Sequence, residues 1–453
     1  MTYKDLFSAQ QAYFRSQQTK DLDFRKANLL KLKKLLIEKE QAMNEAIEKD
    51  FGKSAFETYI TELSAVLQEI DYYVKNMRTL ARPGKVWTNL LNLPGKSRIY
   101  TEPLGVVLVI GAWNYPYQLS LCPMVAAMAA GNCCILKPSE LPAHTMQVMT
   151  QLINTNFDPA YIHVVPGGVE ETTALLECPF DKIFFTGSTK VGRIVYEAAA
   201  KHLCPVTLEL GGKSPAIVTA DANLEVAARR ITWGKFLNAG QTCVAPDYVL
   251  VEEKVKQAFI EQMKAQVQKN DYHAGASHYT QIINERNFNR LLSLMDRDKV
   301  ILGGDSDKSK RFIAPTLLTG VSTGDAIMQE EIFGPLLPIL SFSDYRQALE
   351  QVADGEKPLS AYLFSNNQKE QQLFLDHISF GGGCINDVIV HLTNNRMPFG
   401  GVGHSGMGSY HGKFGFDTFS HKKSVLNKAT WGEPDLKFPP YTASKIKWVR
   451  KFL

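Results

Sequence analysis

The chain has 453 residues, 50 basic and 46 acidic, so its formal charge is only +4. At ~150 residues per domain that length suggests about three domain-sized units, and 45% hydrophobic with 21% charged residues is globular composition that excludes disorder. Charge this close to balance gives no electrostatic reason to expect a nucleic acid partner.

The first hundred residues carry a helical pattern on a charged background. Leu29, Leu32, Leu36 and Ile37 follow helical spacing, and residues 62–77 repeat it. Pro83-Gly84 and Pro94-Gly95 mark turns, and 97–102 (SRIYTE) reads as an exposed strand. The opening MTYKDLFSAQ has no apolar signal region, so nothing argues for export. Seven cysteines with no Cys-x-x-Cys pair read as reduced, cytoplasmic thiols.

Residues 103–136 break the evenness: 34 in a row contain no Asp, Glu, Lys, Arg or His. A membrane span needs about 20 uninterrupted apolar residues, and Gly111, Asn114, Pro116, Pro123 and Gly131-Asn132 cut the run shorter. It reads instead as strand 106–110, helix 118–130 and strand 133–137, a βαβ unit covered on both faces. Alternation continues with helix 143–154, strands 162–165 and 182–185, helix 190–201 and strand 206–209, which predicts a doubly wound parallel sheet. A second alternating stretch, starting with strand 216–219, helix 224–237, strand 248–252 and helix 255–268, runs to about residue 416. The tail after Thr418 is basic and reads as an arm.

Four segments carry chemistry. Asn238-Ala239-Gly240-Gln241-Thr242-Cys243 places a thiol in a tight loop after a helix, where a nucleophile needs access. Taken alone, a single Cys is more often structural. Leu208-Glu209-Leu210-Gly211-Gly212 puts a carboxylate at a strand end before a Gly-Gly turn, which suits a general base or a solvated edge residue. Asn114, in the loop after strand 106–110, offers an uncharged amide donor for an oxyanion, or a turn cap. For a nucleotide, Gly401-Val402-Gly403-His404-Ser405-Gly406 matches G-x-G-x-x-G letter by letter, yet follows Pro398-Phe399 and not a strand, so it fails the context test. Phe185-Thr186-Gly187-Ser188 lies between a strand and a helix and presents backbone N–H groups to a pyrophosphate. Lys137 and Glu140 end another strand, placed for ribose hydroxyls.

In order and spacing these segments resemble the aldehyde dehydrogenase superfamily, and the resemblance covers nearly the whole chain from Asp50-Phe51-Gly52-Lys53-Ser54 to His411-Gly412-Lys413. The pairing of ELGGKSP with a GQTC some thirty residues later is its most specific mark, and residues 409–424 are similar to the class 3, fatty-aldehyde-type branch. One departure is Ala112, where many relatives have Pro before the Trp-Asn pair; it affects loop stiffness and leaves the donor in place. The resemblance implies an α/β fold: a Rossmann-like cofactor domain (1–81 and 104–207), a second α/β catalytic domain (208–416), and a small β bridging and oligomerisation arm (82–103 and 417–453). It implies Cys243 as nucleophile, Glu209 as general base and Asn114 as oxyanion donor. Lys137, Glu140, Gly187, Ser188 and Gly192 would hold the adenosine and pyrophosphate of NAD or NADP, and Glu331 and Phe333 the nicotinamide ribose and ring. The implied reaction oxidises an aldehyde to its acid through a Cys thiohemiacetal and thioester, in a homodimer. Rival readings are a Cys-dependent acyltransferase or thioester hydrolase, which leaves Lys137, Glu140 and the Phe185–Ser188 run without a use, and a CoA-acylating dehydrogenase, against which Glu209 argues.

Tyr115, Leu119, Trp233 and Phe236 are candidates to line an apolar pocket for medium or long aliphatic or aromatic aldehydes; plain core is the competing reading. Residues 444–453 form a basic amphipathic stretch that suits weak contact with an anionic membrane surface, or packing on the protein or a second copy. His391, His404, His411 and His421 lack metal-ligand spacing, and no metal is assigned.

Overall fold

The apolar run Val106–Ile110 pairs in parallel with Cys133–Lys137, Val106 opposite Cys133 and Ile110 opposite Lys137. In the computed structural model, which describes residues 2–452, both strands are buried at every position. The connecting helix, Pro116–Ala130, is likewise buried along its full length. It begins two residues earlier than the sequence suggests because Pro116 takes the first helical position, where its missing N–H costs nothing. It ends at Gly131 in the left-handed conformation (φ 98°). The charge-free run is therefore a sheet-and-helix core, and no described helix is long and apolar enough to cross a membrane.

The first sheet has six strands in the order Gly406–Met407, Val206–Glu209, Lys182–Thr186, Val106–Ile110, Cys133–Lys137, Ile162–Val164. All pairs are parallel except the first, in which Gly406 lies opposite Glu209 and Met407 opposite Leu208. That short strand returns from far along the chain. Helix Val169–Leu176 is absent from the sequence reading: it is short and buries only Leu175 and Leu176, too few residues to show a period. Glu171 caps it by accepting from the Gly168 N–H at 2.6 Å.

The second sheet has seven strands, with Leu336–Phe342, Tyr248–Glu252, Pro215–Val218 and Ser360–Phe364 adjacent and parallel at its centre. A separate three-stranded antiparallel sheet joins Gly84–Val86, Gly95–Pro103 and Ser420–Lys428, the last two paired from Pro103–Ser420 to Gly95–Lys428. The exposed strand expected at 97–102 is the middle of this sheet, and the arm expected after Thr418 supplies its edge.

Candidate active site

Helix Leu224–Phe236 breaks into a turn in which Asn238, Ala239 and Gly240 all take left-handed backbone angles (φ 53°, 52° and 74°). Such a run costs energy at Ala239 and persists only where its surroundings over-determine it. They do so here. The Asn238 N–H donates to Glu57 Oε1 (3.0 Å), and its Nδ2 to the carbonyls of Asn114 (3.0 Å) and Gln241 (3.1 Å). Gln241 Nε2 donates to the Asn238 and Gln281 carbonyls, and its Oε1 accepts from the Ile283 N–H. A Cβ on Gly240 would overlap the Gly334 carbonyl. The turn delivers Cys243, one of two cysteines that are not fully buried. Burial first, then the Glu331 and Glu209 carboxyls, push its thiol up to about 12.

Asn114 follows the Val106–Ile110 strand and is buried. Its Nδ2 donates to the Gln241 carbonyl at 3.0 Å, which spends one of two amide hydrogens and ties the loop to the Cys243 turn. Its own carbonyl accepts from Lys53 Nζ at 3.2 Å. Lys53 is fully buried, bonded to Glu62 Oε1 at 2.7 Å, and lies 4.3 Å from the centre of the Tyr115 ring. Glu62 Oε2 accepts from the Tyr117 N–H, and the Tyr115 hydroxyl meets Thr242 Oγ1 at 2.6 Å. Lys53, Glu57 and Glu62 were not singled out from sequence. The signal available was Asp50-Phe51-Gly52-Lys53-Ser54, whose Lys sits in a short turn with no surface face of its own.

Glu209 ends its strand with both carboxyl oxygens buried and unpartnered, and burial raises its pKa well above the carboxylate range. The Gly401–Gly406 run is what holds this strand end. Residues 403–405 make a 3-10 turn, the Ser405 carbonyl accepts from the Leu210 N–H at 3.1 Å, and a Cβ on Gly406 would overlap the Leu208 carbonyl. Glu331 lies against the Gly211-Gly212 turn: a Cβ on Gly211 would overlap its carboxyl. Burial and then the Asp247 charge raise Glu331 to about 8, against the pull of the Gly212 N–H. The Phe333 ring meets Trp113 edge-on at 5.3 Å, bringing its segment to the Asn114 loop. Cys243, Asn114, Glu209, Glu331 and Phe333 thus converge where the two sheets meet.

The remaining candidates cluster past the C-terminal ends of the first sheet's parallel strands. Lys137 is buried, with Nζ donating to the Pro138 carbonyl at 2.7 Å, and Glu140 is exposed. Ser188 caps helix Thr189–Ala200. Gly187 makes room for the Phe185 ring and donates its N–H to the Glu209 carbonyl. Gly192 does different work: a Cβ there would stand 2.7 Å from Leu210 Cδ2, so this glycine sets the helix close on the sheet and faces inward. No group of His, Cys, Asp and Glu able to hold a metal occurs among the described residues.

The model of the aldehyde dehydrogenase family matches residues 2–425. The chain belongs to that family. It is 47% identical to the 4,4'-diaponeurosporen-aldehyde dehydrogenase of Staphylococcus aureus over 98% of both chains. It is also 47% identical to aldehyde dehydrogenase family 3 member A2 of Rattus norvegicus, over 97% of this chain and 92% of the relative. The solved substrate-bound state of Staphylococcus aureus AldH superposes with a TM-score of 0.97 at 46% identity, covering 99% of this chain and 98% of the other. Like its family, this aldehyde dehydrogenase of the class 3 branch oxidises an aldehyde to the acid, using NAD or NADP.

In this aldehyde dehydrogenase the pocket residues separate. Ala112, Tyr115 and Leu119 form a small apolar cluster apart from the main core. Trp233 is 39% exposed and lines a surface cleft. Phe236 belongs to the main core, its ring 5.9 Å from Tyr272.

Proposed function

We propose that Cys243 is the nucleophile, that the Asn114 amide and the Cys243 backbone N–H hold the oxyanion, and that Glu209 activates the hydrolytic water. The observation that carries this reading is the Asn114 Nδ2 bond to the Gln241 carbonyl, which fixes the donor two residues from the thiol and leaves its second hydrogen for substrate. After losing its proton, Cys243 Sγ bonds to the aldehyde carbon, and oxidation leaves a thioester. Glu209, ionised, then takes a proton from water as the new C–O bond forms and the C–S bond breaks. With neither oxygen tied to a protein donor, Glu209 is free to meet that water.

The cofactor residues fit a dinucleotide. Thr186 Oγ1 is buried and unpaired at the strand end before Gly187, and Ser188 opens a helix N-terminus able to face a pyrophosphate. Exposed Leu141, Val169 and Val191 give apolar surface to either side for an adenine. Lys137 and Glu140 would hold the adenosine ribose, Gly187 and Ser188 the pyrophosphate, and Glu331 and Phe333 the nicotinamide ribose and ring; Gly192 contributes by packing. When bound, the nicotinamide supplies the two-electron oxidant. We assign 1–81 with 104–207 to the dinucleotide, 208–416 to the thiol, with 406–407 returned to the first sheet, and 82–103 with 417–453 to assembly.

The substrate is an apolar aldehyde, medium or long aliphatic or aromatic, because Tyr115 and Leu119 bring only apolar surface and a hydroxyl already bonded to Thr242. Trp233 fits a place nearer the surface. The protein works as a cytoplasmic homodimer through its three-stranded sheet. The helix Ala443–Phe452 supplies weak anionic-membrane contact, with Ile446 and Trp448 about half exposed beside Lys447, Arg450 and Lys451. Deleting 444–453 should then lower co-sedimentation with anionic liposomes. The central test is Cys243→Ser, which should abolish NAD(P)H formation from aldehyde while cofactor still raises the melting temperature; retained turnover overturns the assignment.

A further inference from the structure

Segment 330–335, which carries Glu331 and Phe333, is clamped by charged groups from outside it. Lys213 Nζ donates to the carbonyls of Ile327 (3.0 Å) and Glu330 (2.8 Å) and to Asp247 Oδ2. Asp247 Oδ1 accepts from the Ile332 N–H at 2.9 Å. Arg290 donates to Glu330 Oε1 (2.9 Å) and to the Ile332 carbonyl (2.6 Å). Lys213 has thus used its three donors, and both Asp247 oxygens are taken. The clamp fixes the backbone on either side of Glu331. The Glu331 carboxyl takes a hydrogen bond from the Gly212 N–H.

Lys235 is the cation left over. It lies in the last turn of helix Leu224–Phe236 and is 1% exposed. Its ammonium has no hydrogen bond, and no carboxylate within ion-pair distance, among the described residues. The charges that act on it are Asp247, Lys213 and Glu331. A Cβ on Gly240 would stand 3.1 Å from the Lys235 carbonyl and 2.3 Å from that of Gly334, so this helix end packs on segment 330–335. A surface lysine hands its charge to water, whereas a buried one without an acceptor costs stability. Burial pushes the Lys235 ammonium down and the Glu331 carboxyl up, each toward its neutral form, and the charge of each favours the ionised form of the other.

We propose that Lys235 is the positioning residue of Glu331: its ammonium pairs with the Glu331 carboxylate and keeps it charged to accept from the nicotinamide ribose hydroxyls. The inference rests on the proposed cofactor role of Glu331 and names the group that makes this carboxyl an acceptor. An ionised carboxylate accepts at both oxygens through charge-assisted bonds, while a protonated one turns one oxygen into a donor. The charged and titratable groups facing Glu331 are Asp247, Lys213, Arg290, Lys235 and Cys243. Lys213 and Arg290 cannot turn to its carboxyl without releasing the carbonyls they hold. Lys235 has nothing to release, and its flexible four-carbon stem lets Nζ close on the carboxylate.

The test titrates the full chain with NADH and NADPH by fluorescence at pH 7 and pH 9, and measures the melting temperature of the cofactor-free protein. Lys235→Met should weaken binding about tenfold at pH 7 and regain most of it at pH 9, where Glu331 ionises without help. Exchanging an unpaired buried ammonium for an apolar chain should leave the melting temperature unchanged or raised, an outcome that a packing role does not give. Glu331→Gln should weaken binding alike at both pH values, and Lys235→Met/Glu331→Gln should bind no more weakly than Glu331→Gln alone. Wild-type binding by Lys235→Met at pH 7, beside a weakened Glu331→Gln, overturns this proposal and leaves the cofactor role of Glu331 standing. Equal weakening at both pH values with a lowered melting temperature would make Lys235 a packing residue and overturns it too. Wild-type binding by Glu331→Gln would overturn that cofactor role, and this inference with it.

Discussion

Burial raises both Cys243 and Glu209: the thiol is pushed up to about 12 against the pull of the Cys243 and Val244 N–H groups, and the Glu209 carboxyl, without a donor, well above the carboxylate range. Each reacts only when deprotonated, so kcat and kcat/KM should rise with pH from 6 to 9 in stopped-flow and steady-state assays. A profile falling over that interval would contradict these raised values. Glu209→Gln should keep a first-turnover burst of NAD(P)H and lose steady-state turnover. Its effect on stability has a definite sign. The folded pKa of Glu209 is raised, so its contribution to stability is present at low pH and lost as pH rises through that value. The melting temperature of the Gln variant relative to wild type should therefore be more favourable at pH 9 than at pH 5. Lys53 acts at one remove, through the Asn114 carbonyl and Glu62. Breaking that buried pair with Lys53→Met should cost about 3–5 kcal/mol of stability and lower kcat by roughly 100-fold with a smaller change in KM, since an oxyanion donor is displaced. Lys53→Met/Glu62→Leu should regain much of the stability, by denaturant titration, without regaining kcat.

At the scale of elements, the Asn238–Gly240 turn converts a helix end into an address for the thiol. Gly240→Ala meets both a left-handed φ and the Gly334 carbonyl. It should cost about 1–3 kcal/mol and slow iodoacetamide labelling of Cys243, read by mass spectrometry; labelling at the wild-type rate would show that the turn tolerates relaxation. The element that braces Glu209 was the least legible one. The Gly401–Gly406 run reads as a failed nucleotide motif, and its antiparallel pairing with residues 208–209 joins positions nearly two hundred residues apart. By contrast, strands 106–110, 133–137, 206–209 and 248–252 fall where β-branched and apolar runs put them, because each pattern is local.

At the scale of the whole molecule, the three-stranded sheet and its flank leave Trp87 91%, Leu90 58% and Leu426 42% exposed. Exposed apolar side chains on and beside this sheet support the proposed homodimer seat. Trp87→Glu/Leu426→Glu should shift the mass in analytical ultracentrifugation from dimer to monomer; an unchanged mass would place the interface elsewhere.

The charge-free run 103–136, the strand ends that carry Asn114, Lys137 and Glu209, and the loop that carries Cys243 were determined by sequence alone, because hydrophobic period and turn residues act over a few positions. That Lys53, Glu57 and Glu62 stand behind Asn114, that Gly192 packs a helix, that Phe236 is core, and that Lys235 is buried among Asp247, Lys213 and Glu331 were decided only by the tertiary structure. Each of these depends on which distant segment covers a side chain. Burial, unlike periodicity, has no local signature.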